Sequence, residues 1–410
     1  MSELDTQDPR TAEIALWLTR QGLAGTSQED LLRDYCHRLA EAGVPLLRLH
    51  VAQRALHPKF GGIGFNWTRA AGITAEHYEH TDTPIEAWLR SPFYMLLTNG
   101  LDQWSSKLPQ ADMDRFPLLA DVKAAGATEY FGAAVKFTDG PFDPVDPGNP
   151  GEGMLISWTT DRECGFCPRD KALLTALLPH LGLALKSAAN RQMASDLMRV
   201  YLGRDAGKRV LSGEIQRGSS RAIDAVICLF DLKGFTSLAE QLPGTALIEM
   251  LNDYFGIAVE AIQCHGGNIL KFMGDGILTM FDLGTIEADA KAALNASSEL
   301  QAKIRERNAE RAAEGLPVAD FTLALHAGEI LYGNIGAENR LDFTVIGPTV
   351  NLTARISGMH ASVGQSIIVS EDVRKAANGG TGHDLVSVGR YMLRGVSAPI
   401  ELYTIYEKAA

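Results

Sequence analysis

The chain has 410 residues, is 46% apolar and carries a formal net charge of −12 at pH 7. That length suits two domains with real cores, and the acidic balance gives no support to nucleic-acid binding through a basic face. Five cysteines, an odd number in a long chain, argue against a disulfide framework. No apolar run approaches the ~18–20 residues that span a bilayer. The opening MSELDTQDPRTAEI is polar and acidic, unlike a signal peptide. The expectation is a cytoplasmic protein with no membrane span.

Residues 8–43 read as helical, with Ile14, Leu16, Trp17 and Leu23 on one face and Ser27 followed by Asp30 as a second helix start. Strand-like pieces follow at 45–51, 62–68 and 127–137. A Pro- and Gly-rich loop, 139–153, precedes another at 154–159. Residues 170–198 read as a long helix with Leu173, Leu174, Leu177, Leu181, Leu183 and Leu185 on or near one side, and Pro179 as a point of kinking. All five tryptophans (Trp17, Trp67, Trp88, Trp104, Trp158) fall in this half. They read as core before they read as a ligand pocket. Cys164 and Cys167 form a lone CxxC, which reads as incidental before redox-active or zinc-binding. His77 and His80 could ligate a metal from one helical face, and read first as a solvated pair.

Residues 190–220 are helical at first, then polar and Gly-rich. In a dimer such a helix would pair as a short coiled coil, with Leu185, Met193, Leu197 and Val200 as candidate seam residues.

The pattern then becomes β-α-β-β-α-β: a strand at 225–230, a helix over about 237–263, hairpin strands at 268–273 and 277–282, a helix over about 286–310, and a strand at 321–327. A hairpin, 329–335 to 342–346, a helix 349–357 and strands near 366–370 and 400–406 complete it. Asp231 ends the first apolar strand, and Asp275 sits between Gly274 and Gly276 in the hairpin turn. These two acids are 44 positions apart (275 − 231), yet lie at the ends of neighbouring strands in this topology. Acids on such turns suit hard divalent cations, with a substrate supplying further oxygens. The plain alternative is a pair of surface turn acids. Gly234, Phe235 and Thr236 open the following helix, where backbone N–H groups favour phosphate oxygens. Lys271 interrupts the apolar run ILKFM; it either has a partner or points to water from an edge strand. Asn351 and Arg355 are one turn apart on a helix entered through Pro348.

FDLKGFT, GGNILKFMGDG, LHAGEILYGNIG and DFTVIGPTVNLTARI, in this order, resemble the catalytic core of class III nucleotide cyclases over about 225–406. The resemblance implies an α/β (α+β) chain: a ferredoxin-like βαββαβ catalytic domain at 221–410, after a helical linker at 191–220. Residues 1–190 loosely resemble a GAF-type regulatory domain. The implied activity is that of an adenylate cyclase of the bacterial, Thr-type subgroup, converting ATP to 3′,5′-cyclic AMP and pyrophosphate. Asp231 and Asp275 would hold two Mg²⁺ or Mn²⁺ ions. Lys271 and Thr344 would read the adenine, Gly234, Phe235 and Thr236 would cradle phosphate, and Asn351 and Arg355 would position ribose and stabilise the pentavalent phosphate. Arg394 is a candidate triphosphate contact, although Val396 occupies a place often taken by lysine. The family's division of these residues between subunits implies a homodimer with active sites at its interface. A guanylate cyclase, or a non-catalytic cyclase-like signal-binding protein, is the alternative; Lys271 opposes the first and retention of the whole residue set opposes the second.

Overall fold

The computed structural model describes residues 8–81, 83–137, 152–379 and 382–406. The chain divides into two compact units, Met1–Asp196 and Leu197–Ala410.

In the first unit, α1 (Pro9–Ala24) begins at Asp8, whose carboxylate accepts the Arg10 N–H, and stops at Gly25, which adopts φ 70°. α2 (Gln28–Glu41) begins at Ser27, whose hydroxyl accepts the Asp30 N–H. The apolar face differs from the expected one. Ile14 and Leu18, four apart, are buried, whereas Leu16 and Leu23 face solvent. There follow β1 (Arg48–Arg54), β2 (Phe60–Thr68), β3 (Gly72–Glu79), α3 (Glu86–Leu89), α4 (Pro92–Thr98), β4 (Gln103–Lys107), α5 (Pro117–Ala124), β5 (Glu129–Lys136), β6 (Gly153–Thr160) and α6 (Pro168–Leu202). The six strands form an antiparallel sheet in the order β3-β2-β1-β6-β5-β4.

One face of that sheet, through Leu49, Val51, Phe65, Phe131, Ile156 and Trp158, packs with apolar residues of α1, α2 and α6. On the other side a second cluster joins Met95 of α4, Leu119 of α5 and Tyr130 of β5. Trp67 and Trp158 are core, in line with the structural reading of the tryptophans. The 139–153 loop lies almost wholly outside the described residues. His77 and His80 share no helical face: His77 is on β3 with its ring 4.5 Å from that of Phe60, and His80 Nε2 lies 2.8 Å from the His57 carbonyl. All five cysteines are free.

α6 continues through Pro179. By length and mean hydropathy it could cross a membrane, and half of that apolar window is buried within the protein. Leu173, Leu174, Leu177, Leu181 and Leu185 are buried and Leu183 is exposed. Leu185 is therefore no candidate for an intermolecular seam; it is fully enclosed in its own domain's core.

The second unit begins its independent elements with α7 (Arg204–Leu211), where the sequence suggested only polar, Gly-rich chain. Then come β7 (Ser220–Leu232), α8 (Phe235–Gln241), α9 (Gly244–Cys264), β8 (Asn268–Met273), β9 (Gly276–Phe281), α10 (Ile286–Ala313), β10 (Phe321–Ala337), β11 (Arg340–Ile346), α11 (Pro348–Ser357), α12 (His360–Val363), β12 (Ile367–Ser370), α13 (Glu371–Ala376), β13 (Asp384–Tyr391) and β14 (Ile400–Tyr406). The sheet order is β13-β14-β12-β10-β7-β9-β8, with β11 on the far half of β10. The βαββαβ core is present, with two corrections. The first helix is split at Pro243, which removes a donor and carries extended backbone. The strand expected at 321–327 and the first arm of the next hairpin are one continuous strand, β10.

β7 explains why its sequence is apolar without alternation: both faces are covered. Val226, Cys228 and Phe230 pack against residues of α9 and α10, such as Tyr254, Ala258, Leu294 and Leu300. Ala225 and Ile227 face the opposite way, into a cluster with Ala206 of α7, Leu270, Leu278, Tyr332, Phe343 and Val345.

Candidate active site

The period of two along β7 puts Asp231 on the same side as Ala225 and Ile227. Cross-strand register places Asp231 opposite Gly276 of β9 on one side and Thr322 of β10 on the other. Asp275 occupies the two-residue turn between β8 and β9, where Gly274 adopts φ 66°. The turn is tied to β7 by the Leu232 N–H, which donates to the Asp275 carbonyl at 3.2 Å. A Cβ at Gly276 would fall 3.1 Å from Asp231 Oδ1 and 3.0 Å from the Phe230 carbonyl, so a larger residue here would crowd the Asp231 carboxylate.

Partial burial raises the Asp231 carboxyl to about 6, and the adjacent Asp275 carboxylate pushes the same way; the Leu232 N–H opposes both. Two half-buried acids held this close repel unless a proton or a cation lies with them. Their hard oxygen donors fit Mg²⁺ or Mn²⁺, with other ligands left to water and substrate. Among the described residues there is no group of three or more His, Cys, Asp or Glu side chains placed to cage a metal.

Gly234 adopts φ 75° and directs the chain from β7 into α8. Phe235 turns inward against the core, while Thr236 is exposed. Lys271 lies on the edge strand β8, opposite Leu278 and hence in the register row that continues to Leu229. It is neither buried alone nor directed freely to water. Its Nζ lies 2.6 Å from Asp342 Oδ2. Asp342 and Thr344 are alternate residues of β11 and so share a side of it. Lys271 thus has a direct ion-pair partner in Asp342, with the buried Thr344 one step further along the strand.

α11 follows at once. The Thr349 hydroxyl donates to the Glu329 carbonyl at 2.7 Å and fills the space over Gly328, which seats the helix on β10. Thr353 and Ile356 face inward, leaving Asn351 and Arg355 exposed one turn apart. Arg355 Nη1 reaches the Gly395 carbonyl at 3.4 Å, which brings it beside the exposed Arg394. Val396 packs in the small core under this loop. Three groups therefore form: Asp231 with Asp275, Lys271 with Asp342 and Thr344, and Arg355 with the Arg394–Gly395 loop. Among the described residues no hydrogen bond or ion pair joins the first group to the other two.

Residues 219–407 match the family model described as the adenylate and guanylate cyclase catalytic domain. The second unit is an adenylate/guanylate cyclase catalytic domain. Its matches include an adenylate cyclase of Anabaena cylindrica, 32% identical over 160 residues, which are 39% of this chain and 32% of that protein. Adenylate cyclase 1 of Rhizobium meliloti is 27% identical over 179 residues, 43% of this chain and 26% of that one. A solved guanylyl cyclase, Cya2, is 34% identical and covers 46% of this chain and 94% of its own, with a TM-score of 0.40. This chain spans about a third or less of those two curated relatives.

Two residues in contact with the candidate site residues carry no mark of that role in the sequence. Asp342 is 71 positions from Lys271, and no local pattern links them; only the fold of β11 back toward β8 does. Gly276 reads in the sequence as a turn glycine; its close approach to the Asp231 carboxylate follows from the β7–β9 register.

Proposed function

We propose that this protein is an adenylate cyclase of the Thr-type class III subgroup, forming 3′,5′-cyclic AMP and pyrophosphate from ATP. The observation that carries the reading is the convergence of Asp231 and Asp275 on adjoining strand ends, where the pair calls for cationic charge. Lys271 on the same sheet, with Thr344 on β11, supports adenine. The lysine would donate to a ring nitrogen and the hydroxyl would accept the exocyclic amine. Asp342 would orient the lysine.

In this reading Asp231 and Asp275 hold two Mg²⁺ or Mn²⁺ ions. Bound there, the ions supply Lewis acidity at the ribose hydroxyl and the triphosphate. The first N–H groups of α8, at Phe235 and Thr236, have no intrahelical acceptor and would donate to phosphate oxygens. Asn351 orients the ribose so that its 3′-oxygen lies in line with the α-phosphorus, and Arg355 offsets charge on the pentavalent phosphate. The 3′-oxygen–phosphorus bond forms as the bond to pyrophosphate breaks, and the hydroxyl proton passes to water or to a phosphate oxygen of the substrate. Arg394, beside Arg355, would meet the triphosphate. The reading includes a homodimer in which each site takes the acids from one protomer and Asn351 and Arg355 from its partner. Residues 1–190 would act as a GAF-like regulatory domain through the linker at 191–220, in a cytoplasmic protein without a membrane span.

The test is product identification. Purified full-length chain with Mn²⁺ should convert ATP to cyclic AMP at least ~10-fold more efficiently than GTP to cyclic GMP, the discrimination expected of one well-placed polar pair. Cyclic GMP as the main product would refute the adenine assignment, and no cyclic product from either nucleotide would refute the enzyme.

A further inference from the structure

The six-stranded sheet of the first unit carries polar residues where a buried face would ordinarily be apolar. Register aligns Asn66, His50, Ser157 and Gly132 across β2, β1, β6 and β5. Two residues along the strands, Arg48, Thr159 and Tyr130 form a second aligned row on the same side. α4 covers this side: Phe93 stacks on the His50 ring at 5.9 Å, and Leu96 approaches the space above Gly132.

Several of these groups are sealed from water. Tyr130 is fully buried and Ser157 and Thr159 are 1% exposed; Tyr130 and Ser157 lie within reach of each other, and among the described residues none of the three hydroxyls has a partner outside this cluster. Arg48 Nη1 is likewise buried and unbonded. Arg48 makes no ion pair among the described residues. Its Nη2 instead donates to Asn66 Oδ1 at 2.5 Å, and Asn66 Nδ2 donates onward to Glu76 Oε1 at 2.7 Å. His50 Nδ1 lies 3.0 Å from the same Asn66 oxygen. Burial, followed by the Arg48 charge, pushes His50 down to about 4, so Arg48 is the cation of the cluster at neutral pH. The facing titratable groups from every packed strand are His50, Glu76, Tyr78 and Tyr130, and the one acid among them is held by Asn66 and Tyr78.

An enclosed guanidinium nitrogen with an open donor, in the same register rows as hydroxyls that have no partner outside the cluster, is costly unless something accepts from it. We propose that this cluster binds the oxyanion group of a small molecule, with Arg48 as the charged donor and the hydroxyls of Tyr130, Ser157 and Thr159 as further donors. A planar or tetrahedral oxyanion matches the guanidinium fork. The site belongs to the first unit alone and does not depend on the nucleotide chemistry of the second.

Thermal unfolding of the full-length protein tests it, with inorganic phosphate, bicarbonate or acetate titrated against chloride at matched ionic strength. At least one oxyanion should raise the midpoint progressively by a few degrees, as ligand binding to the folded state requires. The ion that does so identifies the group, phosphate for a tetrahedral ester and bicarbonate or acetate for a planar acid. Arg48→Met should abolish the shift. The double variant Ser157→Ala, Thr159→Val should weaken binding about tenfold by calorimetry, the usual scale for lost hydroxyl donors; it stands in if Arg48→Met does not fold. No oxyanion effect on the wild type, or an undiminished effect in a folded variant, would overturn the proposal.

Discussion

Lys271→Met separates recognition from stability. The ion pair it removes is 2.6 Å long, but its side chains remain 34% and 55% exposed. Pairs this open contribute about 0–1 kcal/mol, because water solvates both partners well and salt screens them. The methionine stem retains the apolar contacts along β8, and Asp342 is left in solvent rather than buried. The unfolding midpoint should therefore move by no more than about 2–4 °C. Substrate recognition should suffer far more. A hydrogen bond from an ammonium to a buried purine nitrogen is worth about 1.5–3 kcal/mol, which is about 10- to 150-fold in kcat/KM. The assay is steady-state cyclic AMP formation over a range of ATP, beside a thermal melt of the same preparation. Unchanged kcat/KM in a folded variant, or a loss accounted for by unfolding, would refute the reasoning. Asp342→Asn should give a smaller loss, about threefold to tenfold, because the amide still accepts from Lys271 but without charge.

Complementation tests the proposed homodimer: Asp275→Ala and Arg355→Ala should each be inactive alone, and mixing them after subunit exchange should restore up to about a quarter of the activity, since one site in four pairings is intact; no recovery in a verified heterodimer would refute shared sites. Asp289, fully enclosed near the start of α10, accepts the Leu283 N–H at 2.5 Å, and burial raises its carboxyl to about 6, with the nearby Asp282 charge adding to the rise. A raised acid favours the folded state most below its unfolded value near 3.8 and loses that contribution as pH climbs through about 6. Asp289→Asn should therefore be more stable than wild type at pH 7–8, by about 1–3 kcal/mol, with the advantage vanishing toward pH 4 in denaturant titrations. Asp253 accepts Arg307 Nε at 2.8 Å and the buried Arg311 Nη1 at 2.6 Å, so Asp253→Ala strands a buried cation and should cost about 3–5 kcal/mol in the same titrations.

The sequence revealed most where local chemistry and tertiary role coincide. The hairpin 268–281 is marked by apolar strands around a Gly-Asp-Gly turn, and that turn is where the acid sits. Helices α1, α2 and α11 carry their caps or an opening proline in the chain itself. Where burial comes from distant partners, local pattern was silent or misleading. α7 is polar, and Ala206 is buried only because that helix docks on β8 and β10 residues. β10 reads as two strands because Gly328 and Glu329 interrupt its apolar run; that glycine is where Thr349 seats α11. Leu185 has the spacing of a dimer seam but points into the core of its own domain. His77 and His80 have helical spacing yet fall at the end of a strand, because β3 pairs with β2 through residues that show no strong alternation. Asp342 needed the three-dimensional return of β11 to reveal its partner.

The central claim is that Asp231 and Asp275 bind catalytic cations together. Calorimetric titration of Mn²⁺ into wild type and Asp275→Ala, each saturated with a non-cyclisable ATP analogue and each also assayed for cyclic AMP formation, addresses it most directly. The account predicts loss of Mn²⁺ binding and at least ~100-fold loss of turnover in the variant, the scale of removing a main electrostatic stabiliser, with a metal-free melt no lower than wild type because the repulsion on Asp231 is relieved. Equal Mn²⁺ affinity and persisting turnover in Asp275→Ala would contradict it.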